Sequence, residues 1–325
     1  MGDEWDGYLR LPAVNMVFLS VIIPTYNRAS LLKRCLQSVV ACPHPNLEIL
    51  VSDNASPDHT QEVLQSFNDP RLRFWRNETN LGPVKNQLKL LQEAQGKWIF
   101  FLTDDDFLMP GAIERLYAVL ADNPKIGVVT SSVQNLDEQG NNAGVTHYHS
   151  STQIYAPALA ALAALVLTTH LLSRVTIRRE WMNIDGFEKH MGSLYSQMFL
   201  VGEILKVHPG LYLDECLVSH TVGNETFWEY HPDFMVGANI AMIGDLLPGE
   251  EWRAERRALC DQIIAEVIVH HMPLTLSVSI SDWITHQQHL WRVREVRHSK
   301  IYWLGLLKFV IKAALRRIRS KFVRQ

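Results

Sequence analysis

Three adjacent carboxylates, Asp104, Asp105 and Asp106, come directly after the apolar segment of residues 98–102. Adjacent carboxylates repel one another strongly unless a cation lies between them. Mg²⁺ and Mn²⁺ prefer oxygen ligands and usually keep water or a substrate phosphate in their coordination shell. We therefore predict that the triplet binds Mn²⁺ or Mg²⁺ together with a diphosphate. The alternative is a solvated acidic turn before a helix that begins near Pro110.

Two earlier apolar segments of the chain also end in polar groups. Thr25, Tyr26 and Asn27 follow the first of them, and Asp53 follows the second. In parallel α/β sheets, ligands bind at the C-terminal ends of the strands, so we expect these groups and the triplet to share one sheet edge. At that edge Asp53 would contact a base or ribose. The alternative is that it only closes an Asx turn.

The elements that must position these groups alternate between strand and helix along the first part of the chain. This alternation predicts an α/β fold with a Rossmann-like, mostly parallel sheet flanked by helices. Beyond residue 133 the pattern changes to a loop or hairpin, and from Pro248 it is helical. The predicted strands are residues 17–24, 47–52, 71–77, 98–102 and 126–131, and the predicted helices are 31–40, 61–67, 84–94 and 110–120.

A length of 325 residues suggests one large domain with an extension, or two domains. We predict an N-terminal extension of residues 1–16, an α/β domain of 17–222 and a helical C-terminal extension of 223–325. A hydrophobic content of 47% with 20% charged residues is ordinary for a folded soluble chain. The sequence has no internal repeat and no low-complexity tract.

The C-terminal extension ends in a strongly basic segment. Residues 291–325 hold 11 Lys and Arg and one acid, whereas the preceding 290 residues hold 20 Lys and Arg and 33 Asp and Glu. The periodicity predicts a basic amphipathic helix lying on an anionic membrane surface, or else packed on the rest of the protein. Nucleic-acid binding is disfavoured because no recognition motif accompanies the bases. The apolar face is Ile301, Leu304, Leu307, Ile311, Leu315, Ile318 and Phe322, and the basic stripe is Lys308, Lys312, Arg316 and Arg319.

Several features bear on the cellular location. The four scattered cysteines lack metal-site or CxxC spacing, which indicates a reducing compartment. The acidic N-terminus is not that of a signal peptide, and the longest apolar run, residues 156–169, is too short for a bilayer span. We therefore expect a cytoplasmic protein associated peripherally with the inner face of the cell membrane. The sequence leaves its oligomeric state open.

The sequence resembles glycosyltransferase family 2 over residues 17–220, about two-thirds of the chain. The resemblance implies a GT-A fold and an enzyme that moves a sugar from a nucleotide-diphosphate donor to a glycan acceptor. It further implies a lipid-linked acceptor in cell-surface polysaccharide or O-antigen assembly, metal dependence and inversion. The matching segments, in family order, are SVIIPTYNR (20–28), ILVSDNASPD (49–58), NLGPVKN (80–86), GKWIFFLTDDDFLMPGAI (96–113) and IDGFE (184–188).

The resemblance also implies roles for individual residues. Asp104 would approach the ribose, Asp105 would bind the metal and diphosphate with Asp106 beside it, and some related enzymes add a late His, here His220. Lys85 stands where the family usually carries Arg. The predicted nucleotide-binding set is Pro24, Thr25, Tyr26, Arg28, Asp53, Asn80, Gly82, Asn86 and Asp104.

The sequence departs from the family at the catalytic base. Many members carry an acidic pair where Ser196 and Gln197 stand here. Inverting displacement needs a base for the acceptor hydroxyl. The candidates are Asp185, Glu188 and Glu203, each of which has a structural alternative as a turn or exposed helix residue.

Two other functions compete with sugar transfer. A sugar-phosphate nucleotidyltransferase would favour a Gly-rich loop after the first strand, and PTYNRAS has no glycine. A non-catalytic nucleotide- or glycan-binding protein would account for the missing acidic pair.

Two aromatic residues, Trp228 and Tyr230, would stack on an acceptor sugar, or else only pack in the core.

Overall fold

The computed structural model describes residues 18–137, 139–193, 196–221, 232–266 and 294–308. The chain folds into two compact units. The first unit comprises residues up to 147 together with 172–181 and 213–221. The second comprises 148–171, 182–212 and the residues from 222 onward. The two units therefore interleave along the chain, whereas the sequence analysis placed one boundary after residue 222.

The strands belong to a mixed sheet in which neighbours follow the order β3-β2-β1-β4-β9-β6-β10-β5. β3, β2, β1 and β4 run parallel, whereas β9 runs antiparallel to both β4 and β6. β7 pairs with β6, and β8 pairs with the first residues of β10. The strands are β1 (Leu19–Thr25), β2 (Leu47–Asp53), β3 (Leu72–Arg76), β4 (Trp98–Phe101), β5 (Phe107–Leu108), β6 (Val128–Leu136), β7 (Asn142–Thr146), β8 (Gln153–Tyr155), β9 (Val175–Arg178) and β10 (Gly210–Thr221).

Helices flank this sheet or form the second unit. β2 and β4 are buried along their whole length, as expected for parallel strands covered on both faces; β4 is wholly apolar, whereas β2 also buries Glu48, Ser52 and Asp53. The predicted α/β fold is therefore confirmed. The helices are α1 (Ala29–Val40), α2 (Thr60–Gln65), α3 (Pro83–Glu93), α4 (Ala112–Asp122), α5 (Leu159–Leu165), α6 (Ile184–Lys189), α7 (Gln197–Val207), α8 (Pro232–Leu246), α9 (Arg253–Glu266) and α10 (Arg294–His298).

Two details differ from the sequence expectations. The helix predicted from Pro110 begins only at Ala112, because Gly111 before it adopts a positive φ of 76° that a right-handed helix excludes. The polar stretch after residue 133 forms the β6–β7 hairpin, one of the two predicted alternatives. In the part of the chain that the structure describes, no helix combines the length and apolar character needed to cross a membrane.

A buried carboxylate closes the sheet edge opposite the predicted site. Glu48 on β2 accepts hydrogen bonds from the Ser20 hydroxyl and from the backbone N–H groups of Gln95 (2.6 Å) and Gly96 (3.2 Å). The Gly96 N–H also lies 2.8 Å from Ser20 Oγ. These bonds attach the turn before β4 to the two neighbouring strands, so they help set the register that places residues 103–106.

The close approach at Gly96 can be tested by Gly96→Ala. A Cβ there would lie 2.6 Å from both the backbone N and the Oγ of Ser20, and backbone cannot move aside without shifting β1. We expect the free energy of unfolding to fall by about 1–3 kcal/mol, the usual cost of overpacking, measured by urea denaturation.

The matched control is Gly244→Ala in α8. A Cβ at Gly244 meets no atom within 4 Å, so this change should be neutral or raise helix stability by up to ~1 kcal/mol. If Gly96→Ala proved as stable as the control, the turn would not depend on this close approach.

Candidate functional site

The polar strand ends predicted from the sequence do meet at one edge of the sheet. β1 lies between β2 and β4, and Thr25, the last residue of β1, is level with Asp53, the last residue of β2. The Asn54 N–H donates to the Thr25 carbonyl (2.9 Å). Residues 103–106 follow β4 at the same edge, so the predicted convergence is confirmed.

Asp104 is a buried carboxylate with two donors. It accepts hydrogen bonds from Thr25 Oγ1 (2.7 Å) and from Arg28 Nη1 (3.2 Å). Burial, and then the neighbouring charge of Asp105, raise the pKa of Asp104 to about 6, against the opposing effects of Arg28 and Thr25. The β1 end thus supplies the groups that stabilise the ionised form of Asp104.

Arg28 forms ion pairs with two carboxylates at once. Its Nη1 lies 2.7 Å from Asp105 Oδ2 as well as 3.2 Å from Asp104 Oδ1. Burial opposes the charge, but the two carboxylates outweigh it and raise the pKa of Arg28. The family resemblance placed Arg28 in the nucleotide-binding set; the structure pairs its guanidinium with the acidic groups, and contact with a nucleotide stays a prediction. In the sequence, only the family motif indicated that Arg28 belongs to the site. Its ion pair with Asp104 joins residues 76 positions apart, and no local sequence pattern predicts such a pair.

Asp106 faces the protein interior. Its side chain is buried, with Oδ2 accepting from Thr103 Oγ1 (2.9 Å) and Oδ1 lying 2.9 Å from Nδ1 of His220 on β10. The structure therefore brings the predicted metal ligands Asp106 and His220 into contact with each other. Their role toward a metal stays a prediction.

The acidic groups suit a metal site that the substrate completes. Among the described residues, no group of three or more His, Cys, Asp and Glu side chains could hold a metal ion by itself. Mg²⁺ commonly binds through one or two carboxylates plus substrate phosphates and water. Asp104 and Asp105 form such a pair, and 18% of the Asp105 side chain is exposed to solvent. The donor set thus fits Mn²⁺ or Mg²⁺ bound together with a diphosphate.

Asp53 organises the loop after β2. It is 0% exposed, and its Oδ1 accepts from the Ser56 N–H three residues on (2.9 Å), one residue further than in an Asx turn. Its Oδ2 accepts from Gln61 Nε2 (2.7 Å) and lies 3.7 Å from Arg76 Nη1. Asp53 therefore holds the loop together, although not through the predicted Asx turn, and contact with a base stays a prediction. Pro24, one residue before the end of β1, is partly exposed, and Tyr26 is exposed beside it.

A network of amides connects β2 to the loop before α3. Asn86 is buried, donates to the Ser52 carbonyl (2.8 Å) and accepts from Asn77 Nδ2 (2.8 Å). Asn80 Oδ1 accepts from Asn54 Nδ2 and from the Gly82 N–H, both at 2.8 Å. Asn86 therefore supports the loop from inside, while Asn80 is exposed and Gly82 is partly exposed. The sequence analysis missed Asn77, although the recurrence of asparagine between residues 54 and 86 could have indicated it.

The three candidate bases lie in the second unit. Asp185 and Glu188 are exposed on α6. Glu203 on α7 is paired with Lys206 Nζ (2.9 Å) and accepts from Asn183 Nδ2 (3.2 Å). Their part in the reaction stays a prediction. Trp228 and Tyr230 lie outside the described residues.

Comparison with known proteins gives the same classification as the site. The sequence profile of the family described as "Glycosyl transferase family 2" matches residues 20–199. An undecaprenol-linked β-1,3-glucosyltransferase of Campylobacter jejuni is 40% identical over 101 residues, 30% of this chain and 33% of that protein. The abequosyltransferase RfbV of Salmonella typhimurium is 26% identical over 65% of this chain and 68% of its own. This chain thus spans only a third of the C. jejuni relative.

Solved structures show the same fold at low identity. S. aureus TarS residues 1–349, in complex with UDP-GlcNAc, superposes with a TM-score of 0.65 at 16% identity. The match covers 86% of this chain and 83% of that one. The predicted GT-A-type fold is thereby confirmed. Because the family profile covers more than half of the sequence, this chain belongs to glycosyl transferase family 2.

Proposed function

We propose that this protein transfers a sugar from a nucleotide-diphosphate donor to a lipid-linked glycan acceptor in cell-surface polysaccharide assembly. The observation that carries the proposal is the pair Asp104 and Asp105, compensated by Arg28 at the edge where β1, β2 and β4 end. The C. jejuni relative is named for an undecaprenol-linked acceptor, and TarS was solved with UDP-GlcNAc. Both names support this substrate class.

In the proposed reaction the acceptor oxygen displaces the nucleoside diphosphate in one step, which inverts the anomeric carbon. Asp104 and Asp105 would hold Mn²⁺ or Mg²⁺, which when bound stabilises the charge of the departing diphosphate. Thr25 fixes the orientation of Asp104, and Arg28 bonds to both carboxylates and offsets their mutual repulsion before the donor arrives. The Asp53 turn and the Asn80–Gly82 loop border the nucleotide.

The metal proposal is tested by Asp105→Ala. Metal stabilisation of the leaving group contributes several kcal/mol, and each 1.4 kcal/mol is tenfold in rate, so donor turnover should fall about 10²-fold or more. EDTA should do the same to the wild type, and Mn²⁺ or Mg²⁺ should restore it. The assay measures nucleoside diphosphate released from a panel of UDP-, GDP- and dTDP-sugars.

The matched control is Asp122→Asn, which alters a carboxylate at the exposed end of α4. It should leave turnover unchanged. Full wild-type activity in EDTA would contradict the metal proposal. Equal losses in both variants would show that the effect of Asp105→Ala is not specific to the site.

The nucleotide-binding role of Asp53 is tested by Asp53→Asn. This change keeps the Oδ1 acceptor for the Ser56 N–H but replaces Oδ2 by an amide NH2, to which Gln61 can present its own amide oxygen after a flip, so the loop should stay folded. Losing a charge-assisted hydrogen bond should weaken nucleotide binding by about 1.5–3 kcal/mol, measured by titration calorimetry with UDP and GDP.

Asp69→Asn serves as the control for Asp53→Asn. Asp69 is paired with Arg71 at the opposite edge of the sheet, before β3 begins. Removing the Asp69 charge should leave nucleotide affinity unchanged. Equal affinity of Asp53→Asn and the wild type for the preferred nucleotide would remove Asp53 from the binding site.

We also propose that the C-terminal segment binds an anionic membrane surface. Residues 300–308 are helical, and one side of this helix exposes Ile301, Trp303, Leu304 and Leu307. Two exposed lysines, Lys300 and Lys308, lie on the same side. Exposed aliphatic side chains, a tryptophan and bases together suit the interface of a bilayer. The rest of the predicted helix, from residue 309, lies outside the described residues.

The membrane proposal is tested by the triple variant Trp303→Ser, Leu304→Ser, Leu307→Ser. The wild type should float with phosphatidylglycerol vesicles, less so at high salt, because each base near the surface contributes about 1 kcal/mol. The triple variant should remain largely in solution.

The control for flotation is Val207→Ser, which removes an equally exposed apolar side chain at the end of α7. It should float like the wild type. If the wild type stays in solution at low salt, the segment does not bind membranes, and the acceptor need not be carried by a lipid.

A further inference from the structure

The carboxylate of Asp53 is covered by two side chains that the proposed site does not use. Asp53 is 0% exposed, and its Oδ1 accepts from the Ser56 N–H (2.9 Å). At the other oxygen, Oδ2, Gln61 Nε2 donates a hydrogen bond of 2.7 Å and Arg76 Nη1 lies 3.7 Å away. Gln61 is half-buried and Arg76 is 43% exposed. Around this carboxylate, a ligand therefore meets the side chains of Gln61 and Arg76 first.

The sheet register places these side chains in line with the acidic pair. Arg76, Asp53 and Thr25 pair as level residues of β3, β2 and β1, so their side chains point to the same face of the sheet. Thr25 Oγ1 donates to Asp104 Oδ2 (2.7 Å). Adjacent strands lie about 4.8 Å apart, so the row from Arg76 to Thr25 spans about 10 Å. A nucleotide with its diphosphate at the acidic pair, extended over the parallel strands, brings its base to the Arg76 end of this row.

Asp53 determines which end of the Gln61 amide faces a ligand. An ionised carboxylate only accepts hydrogen bonds, so the amide turns its Nε2 toward Asp53. The amide oxygen Oε1 is then the end that faces away from the carboxylate. The Arg76 guanidinium, whose Nη2 donates to the Ser56 carbonyl (2.8 Å), can only donate. Because both side chains lie against the same Asp53 oxygen, one acceptor and one set of donors are held side by side.

An acceptor beside a donor distinguishes two classes of nucleobase. Uracil, thymine and guanine, here called keto bases, carry a ring N–H next to a carbonyl oxygen on their pairing edge. Cytosine and adenine carry a bare ring nitrogen next to an amino group there, so donor and acceptor are exchanged. Gln61 Oε1 can accept from the ring N–H of a keto base while Arg76 donates to its carbonyl. With cytosine or adenine, acceptor would face acceptor and donor would face donor, which leaves polar groups unpaired.

We propose that Gln61 and Arg76 select a sugar donor whose nucleotide carries a keto base, and that Asp53 is the positioning residue that orients Gln61. This assignment rests on the proposed function, because it takes the row of strand ends as the nucleotide site. It narrows the donor to sugars activated by uridine, thymidine or guanosine diphosphate. Asp53 then acts on the base through the Gln61 amide.

The assignment is tested by titration calorimetry of the full chain with UDP, dTDP, GDP, CDP and ADP in the presence of Mn²⁺. We expect one or more keto-base diphosphates to bind about 10-fold or more tightly than CDP and ADP, because a mismatched edge leaves polar groups without partners. Gln61→Ala should lower the affinity for the preferred diphosphate by about 10-fold and change that for CDP far less. The ratio of the two affinities is the readout, because misfolding of the loop would weaken all five diphosphates alike.

Asp53→Asn tests the orienting role. The introduced amide NH2 faces Gln61, which then presents Oε1 to it and Nε2 to the ligand. A donor thereby replaces the acceptor, so the affinity for CDP relative to the preferred keto-base diphosphate should rise by about 10-fold. In a Gln61→Ala background the same change should cause no such rise, because no amide is left to flip. An equal rise in that background would show that Asp53 contacts the base itself, and would overturn its role through Gln61.

The donor side is tested by Arg76→Met, which keeps an unbranched side chain and removes its N–H groups. It should lower the affinity ratio of the preferred keto-base diphosphate over CDP. The control is Gln65→Ala, which removes an exposed glutamine at the end of the same helix, α2, and should keep the wild-type ratio.

Two results would overturn the assignment alone. One is CDP or ADP bound by the wild type as tightly as the best keto-base diphosphate. The other is an unchanged affinity ratio in Gln61→Ala. If the wild type bound none of the five diphosphates, the proposed function would fail and the assignment would fail with it.

Discussion

The candidate site depends on keeping two neighbouring carboxylates ionised at a largely buried position. Asp104 has little contact with water, and burial together with Asp105 raises its pKa to about 6. Burying a charge costs several kcal/mol unless donors and counter-charges replace the lost hydration. Thr25 and Arg28 supply that replacement. Thr25 ends β1 and Arg28 precedes α1 three residues later, so the acidic pair is stable only where β1 and β4 are adjacent.

That adjacency is maintained from the far side of the sheet. Glu48 binds the turn before β4 through the N–H groups of Gln95 and Gly96 and also bonds to Ser20 at the start of β1. The register of three parallel strands is thus fixed at one edge by a buried carboxylate. At the other edge the same register places Thr25, Asp53 and Asp104 close together. A shift of one residue would turn every side chain to the opposite face and separate Thr25 from Asp104.

The strands and the sheet edge that holds the site were predictable from the sequence, because local sequence patterns determine them. Apolar runs that end in Asp53 or in the Asp104 triplet identify buried parallel strands and their ligand edge. The pairing of Arg28 with the triplet and of His147 with Asp214 was not predicted, because each joins residues at least 67 positions apart. The interior position of Asn86 depends on Asn77 and Ser52, which no helical pattern indicates. The two interleaved units reflect long-range packing that composition does not encode.

The absence of the family's acidic pair also has a physical explanation. Ser196 and Gln197 occupy its position, both are buried, and Gln197 donates to the Thr169 carbonyl (3.2 Å). An ionised carboxylate at such a position would lose its hydration and shift toward the neutral form, which accepts no proton.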